Sequence, residues 1–159
     1  MVLKAANVRS SALLVAIMLV CPSPLPAQAP PQKPPPSATF DARTASRLLL
    51  QLSESLQGHS PKQFLALFDL AKMKDGTSFK QHVSSFFSQT ESIRIHMNLG
   101  ETSMDGDKAM LAVEAEMEAE PSNGGAIWRR NDRLNFVAVN SGGTWKFVDL
   151  QPRSFFSLP

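Results

Sequence analysis

Acids, histidines and a lone thiol are the residues here whose types could do chemistry, and their spacing narrows what that chemistry is. His59 lies beside Gly58 and Ser60, His82 falls off an apolar stripe, and His96 sits between Arg94 and Asn98. None has another His, Asp or Glu at metal-ligand spacing, which argues against a zinc site, and no metal is expected. Glu114, Glu116, Glu118 and Glu120 fall on alternate positions. A hard cation needs oxygens that converge, whereas residues two apart on a strand stand in a row. The row reads as a solvated sheet face, with Arg129, Arg130 and Arg133 as cross-strand partners. Two aspartates lie nearer apolar surface, Asp69 at the end of a helical pattern and Asp149 on the last strand. Asp149 shares strand parity with Trp145 and Phe147, and simple alternation turns it inward with them; the alternative reading, which the residue type favours, is an edge carboxylate paired with a neighbouring arginine. The chain has no P-loop, GxSxG, HExxH or dinucleotide fingerprint, and no cofactor is expected.

The thiol belongs to the leader. Lys4 and Arg9 precede the apolar run Ser11-Ala-Leu-Leu-Val-Ala-Ile-Met-Leu-Val20, which Cys21, prolines and Ala27-Gln-Ala29 follow. A basic start, an apolar core too brief for a bilayer span and small residues afterwards describe a secretory signal peptide over residues 1–29. Export to a periplasmic or extracellular space is the expectation, with no transmembrane segment left in the mature chain. Cleavage after Ala29 removes Cys21, the only cysteine, leaving a domain held by apolar packing alone. The alternative is a lipid anchor on Cys21, although Met18-Leu19-Val20 lacks the small residue such a signal places before its cysteine.

Charge follows the same division. From Ala38 onward 13 basic residues stand against 14 acidic ones, a balance of −1, while the whole chain is +2. The basic character therefore sits in the leader and offers nothing to a nucleic-acid partner. Pro22 to Pro36 hold eight of the twelve prolines. Proline fixes φ and lacks an amide, so residues 30–38 read as an extended linker or spacer before a single domain over 39–159.

That domain opens with helices. Asp41 is placed to cap a helix in which Ala45, Leu48, Leu49, Leu52 and Leu56 form one stripe, ended by Gly58. Ser60-Pro61-Lys62-Gln63 has capping-box spacing before a second helix with Phe64, Leu65, Phe68 and Ala71 on its apolar face. Ser78 and Gln81 repeat the arrangement before a third, carrying Phe79, Val83, Phe86 and Phe87. After Thr90 the period becomes two: Ile93, Ile95, Met97 and Leu99, then Leu111, Val113, Ala115 and Met117 beyond a turn at Met104-Asp-Gly-Asp107. Two further strands, about 127–139 and 144–150, flank Asn140-Ser-Gly-Gly143. The fold class is α+β, three N-terminal helices packed on a curved four-stranded antiparallel meander. Trp128, Trp145, Phe155 and Phe156 read as core or interface aromatics.

Helices first, then a meander ending in Phe136-Val-Ala-Val139, a Gly turn and Trp145-Lys-Phe-Val-Asp-Leu150, resemble the NTF2-like (SnoaL-like, cystatin-like) superfamily. The resemblance implies a bent sheet wrapped round the helices as a cone whose mouth holds a small ligand, and dimerisation through the outer sheet face. The hairpin that many members place between the second and third helices has only residues 70–75 available here. Enzymes of the superfamily use a carboxylate or an Asp–His pair inside the cone. Two readings follow. In the first the domain is a non-catalytic module, homodimeric, binding a small apolar molecule or an envelope protein partner, with Trp145, Phe147, Phe136 and Met97 as ligand-contact candidates. In the second it is an isomerase, dehydratase or cyclase with Asp149 as general base and His96 or an arginine as polarising group, since a carboxylate in an apolar pocket is a stronger base.

Overall fold

The computed structural model describes residues 39–157; the expected leader, Cys21 and the Pro-rich linker lie outside them. Three helices come first among the described residues, α1 (Ala42–Gln57), α2 (Pro61–Ala66) and α3 (Gly76–Ser88). The strands β1 (Thr90–Asp105), β2 (Lys108–Pro121), β3 (Trp128–Ser141) and β4 (Thr144–Gln151) follow, and a 3-10 turn, η1 (Arg153–Phe156), closes the domain. The strands hydrogen-bond in chain order as one open, curved antiparallel sheet, the meander that the two-residue alternation predicts. No described helix is long and apolar enough to cross a membrane.

Each helix begins and ends for a local reason. Asp41 Oδ1 accepts from the Thr44 amide at 2.7 Å, satisfying a donor that the first turn of α1 leaves free. The Gly58 amide closes α1 on the carbonyl of Glu54. Ser60 stands at the N-cap of α2 without a side-chain cap bond, so Pro61, which needs no amide partner, is the device that starts this helix. α3 begins three residues earlier than the Ser78 spacing predicts, at Gly76 with Asp75 at the N-cap. A Cβ there would lie 2.1 Å from the Leu70 carbonyl oxygen, so only glycine lets the loop approach the helix this closely.

The expected second helix is too long. Phe68 leaves α2 and bridges Phe147 in parallel, with Asp69 N donating to Phe147 O at 2.8 Å and Phe147 N to Leu67 O at 2.9 Å. The open edge of β4 thereby gains partners for backbone groups that burial would otherwise leave unpaired, and Phe68 turns into the core while Ala71 stays exposed.

Three register shifts interrupt the sheet, between Thr90 and Ser92 and between Leu99 and Thr102 on β1, and between Val137 and Ala138 on β3. At the last, Val137 faces Asp149 while Ala138 faces Phe147, so Val148 is one residue extra on β4. The helices and η1 cover one face, where Ile93, Ile95, Val113, Met117, Leu134, Phe136 and Phe147 are buried. Arg94, His96, Glu116, Arg129 and Asn131 are exposed on the other.

Candidate functional site

The covered face is where the resemblance places a ligand chamber, and phenylalanine rings occupy it. Phe64 meets Phe68, Phe79, Phe87 and Phe156 at centroid distances of 5.2 to 6.4 Å. Phe68 meets Phe147, which meets Phe136; Phe156 meets Phe86 and Phe155. Nine of the ten phenylalanines thus form one connected cluster, each no more than 3% exposed. Such rings at tilted or edge-on geometry pack to interior density. Of the expected ligand contacts, Phe136 and Phe147 are inside this cluster. Trp145 is buried edge-on against Phe40 at 4.8 Å, and Met97 alone is partly open. Phe155 and Phe156, carried by η1, are core.

The candidate acid–base residues stand elsewhere. Val148 reverses the parity of β4, so Leu150 joins Phe147 inside and Asp149 turns to the opposite face. This corrects the inward placement expected for Asp149 from simple alternation. Its carboxylate accepts from Arg153 Nη2 at 3.0 Å and Gln151 Nε2 at 3.3 Å. His96 is exposed on the outer face, as its parity predicts. His59 holds φ 48° after α1 and places Nε2 2.8 Å from the Thr90 carbonyl, tying the α1–α2 connection to the start of β1.

One cation does enter the covered side. Arg130 is in register with Met117, and its Nη1 donates to the carbonyls of Ser154 and Phe155 in η1. Reading it as an outer-face partner for the glutamates missed this, although its even-numbered parity with Leu134 and Phe136 was the available signal. Of the expected cross-strand pairs, Arg129 Nε meets Glu118 at 2.7 Å and Arg133 Nε meets Glu114 at 4.0 Å.

A groove of about 620 Å³ opens on the outer face, built from two cross-strand rows. In the first, Glu118 lies between Arg94 at 3.3 Å and Arg129, whose hydrogen bond holds the carboxyl below its ordinary pKa. In the second, His96, Glu116 and Asn131 stand side by side across β1, β2 and β3, with no side-chain hydrogen bond or ion pair to another described residue. The row offers a carboxylate, an imidazole and an amide to solvent. No cluster of three or more His, Cys, Asp or Glu among the described residues is placed to hold a metal.

A second polar cluster sits where the 69–72 loop meets the β3–β4 turn. Lys72 Nζ donates to Ser141 Oγ at 2.9 Å, and Ser141 Oγ donates to Asp69 Oδ2 at 2.9 Å. The hydroxyl bond is the chief cause that lowers the Asp69 pKa. A hydroxyl committed to a carboxylate beside an exposed ammonium is a latch between loop and turn rather than an activated nucleophile.

No protein-family profile and no curated protein matches the sequence. Solved structures do. A candidate scytalone dehydratase from Novosphingobium aromaticivorans superposes with a TM-score of 0.60 at 14% identity, over 68% of this chain and 79% of that one. An NTF2-like superfamily protein from Salmonella enterica gives 0.60 at 10% identity, over 68% and 86%. A hexachlorocyclohexane dehydrochlorinase gives 0.51 at 12% identity, over 68% and 84%. The chain has the NTF2-like fold.

Proposed function

We propose that this NTF2-like fold serves as a non-catalytic interaction module that meets a protein partner through the outer face of its sheet. The observation that supports it is the occupation of the covered side by nine phenylalanine rings, which takes the place where a small apolar ligand would sit. The uncommitted polar groups are on the outer face instead. Glu116 suits an amide or cation from the partner, and His96 and Asn131 suit its acceptors. We further propose that residues 1–29 direct export and are removed, with the Pro-rich run as the spacer that follows; N-terminal sequencing of the mature protein reads this directly.

Two experiments test the module. Native mass spectrometry of the purified protein is expected to return masses that are whole multiples of the polypeptide with no small molecule bound; a stoichiometric apolar metabolite would overturn the filled interior. A photo-crosslinking residue at Asn131 is expected to capture one discrete partner in the source cells, while the same residue at exposed Lys80 on α3 captures none. Equal capture at both would remove the outer face as the site.

The dehydratase or isomerase alternative draws on the names of the solved neighbours. It needs an acid–base group on the covered side. Of the candidates, Asp149 and His96 face outward, and Arg130 on the covered side is bonded to backbone carbonyls.

A further inference from the structure

Leu50 on α1 is 57% exposed, the most exposed large hydrophobic residue described. It overhangs a groove of about 470 Å³ shared with Met97 and Leu99 of β1, whose one titratable lining group is His96. β1 is an outer strand, hydrogen-bonded only to β2 within the sheet. Ile95 O accepts from Gln57 Nε2 at 3.3 Å, so the backbone of Ile95 points away from β2. Antiparallel strands alternate the direction of their backbone groups, so Met97 and Leu99 also turn N–H and C=O toward the groove. The two-residue turn that pairs Asp105 with Lys108 leads to the same phase on β2. An open edge is ordinarily blunted by lysine or proline, and β1 contains neither.

We infer that this edge is completed by β1 of a second copy of the chain, antiparallel about a two-fold axis at Asn98, so that two sheets become one. The chain's own N-terminal region is a poor occupant, because eight of its prolines crowd residues 22–36 and lack the amides a strand needs. The self-pairing is complementary. About Asn98, Met97 of each copy exchanges hydrogen bonds with Leu99 of the other, and the Gln57–Ile95 bond is undisturbed. On the outer face Asn98 meets Asn98 and His96 meets Gly100, so like charges do not oppose one another. The register shift after Leu99 confines the pairing to this short stretch. Leu50 of each copy then covers the joined strands, removing its exposure. This contact uses the sheet edge, and His96 borders both it and the outer-face groove.

Sedimentation equilibrium of the purified chain is expected to show a dimer. Leu50→Lys, on an exposed site, weakens it by about tenfold or more. Asn98→Lys and Asn98→Asp each place like charges across the axis and give monomers, and mixing the two restores a dimer. In the wild type the Met97 and Leu99 amides exchange slowly and become fast on dilution, while the Asn98 amide, directed at β2, stays protected. A monomeric wild type, or a dimer that survives Leu50→Lys and both Asn98 variants, overturns the inference.

Discussion

Arg153 Nη2 donates to Asp149 Oδ1 at 3.0 Å while its Nη1 reaches Asp75 Oδ2 at 3.3 Å, so one guanidinium joins β4 to the start of α3. Only 24% of the Arg153 side chain is exposed. The pair answers what the aspartate does: it anchors the chain just past the bulge. Asp149→Asn is expected to cost within about 1 kcal/mol in denaturant melts, the range of partly exposed ion pairs. Arg153→Ala costs more than either Asp149→Asn or Asp75→Asn, because it breaks both contacts and their packing. Equal losses for all three would show that the bridging is not shared.

Deleting Val148 removes the extra residue and leaves a regular strand in which Phe147, Asp149 and Leu150 keep their partners Ala138, Val137 and Phe136. Alternation from the inward Phe147 then still turns Asp149 outward and the buried Leu150 inward. The deletion is therefore expected to keep the near-ultraviolet aromatic signal and to cost less than a lost buried leucine, about 2–5 kcal/mol, read from the urea midpoint. A loss of that size or more would show that the bulge itself, rather than the register, holds Leu150 inside.

Phe64 touches four other rings at the centre of the cluster. Phe64→Ala is expected to destabilise by about 3–5 kcal/mol, as for other buried aromatic truncations. The opened space is apolar and stays dry, so it should admit benzene or xenon, detectable by shifts of neighbouring methyl resonances.

Asp69 is hydrogen-bonded by Ser141, which holds its folded-state pKa below the ordinary value. A depressed carboxyl contributes stability that is complete above the unfolded pKa, about 4, and is lost as pH falls through the lower folded value. Asp69→Asn is therefore expected to lower stability by a constant amount from about pH 5 to 8, with the difference shrinking below about pH 4. Ser141→Ala should reduce the same acid-side slope. Urea midpoints measured from neutral to strongly acidic pH read both, and an unchanged slope in either variant would remove the latch.

Periodicity determined much of this protein without any coordinates. The stripe from Ala45 to Leu56 and the alternation from Ile93 to Met117 report which side of its own element each residue turns, and that is enough for three helices, four strands and their order. Tertiary structure decided what lies across from those sides. Phe68 fits a helical stripe but is drawn off α2, where the bare edge of β4 supplies backbone partners that a seventh helical residue would not. Arg130 turns inward because η1, distant in sequence, presents carbonyls to it. Asp149 faces outward because β4 takes up an extra residue against β3, a choice made between strands. Local patterning encodes a residue's face, whereas register and opposition are properties of two segments at once, settled by which buried groups can be satisfied together.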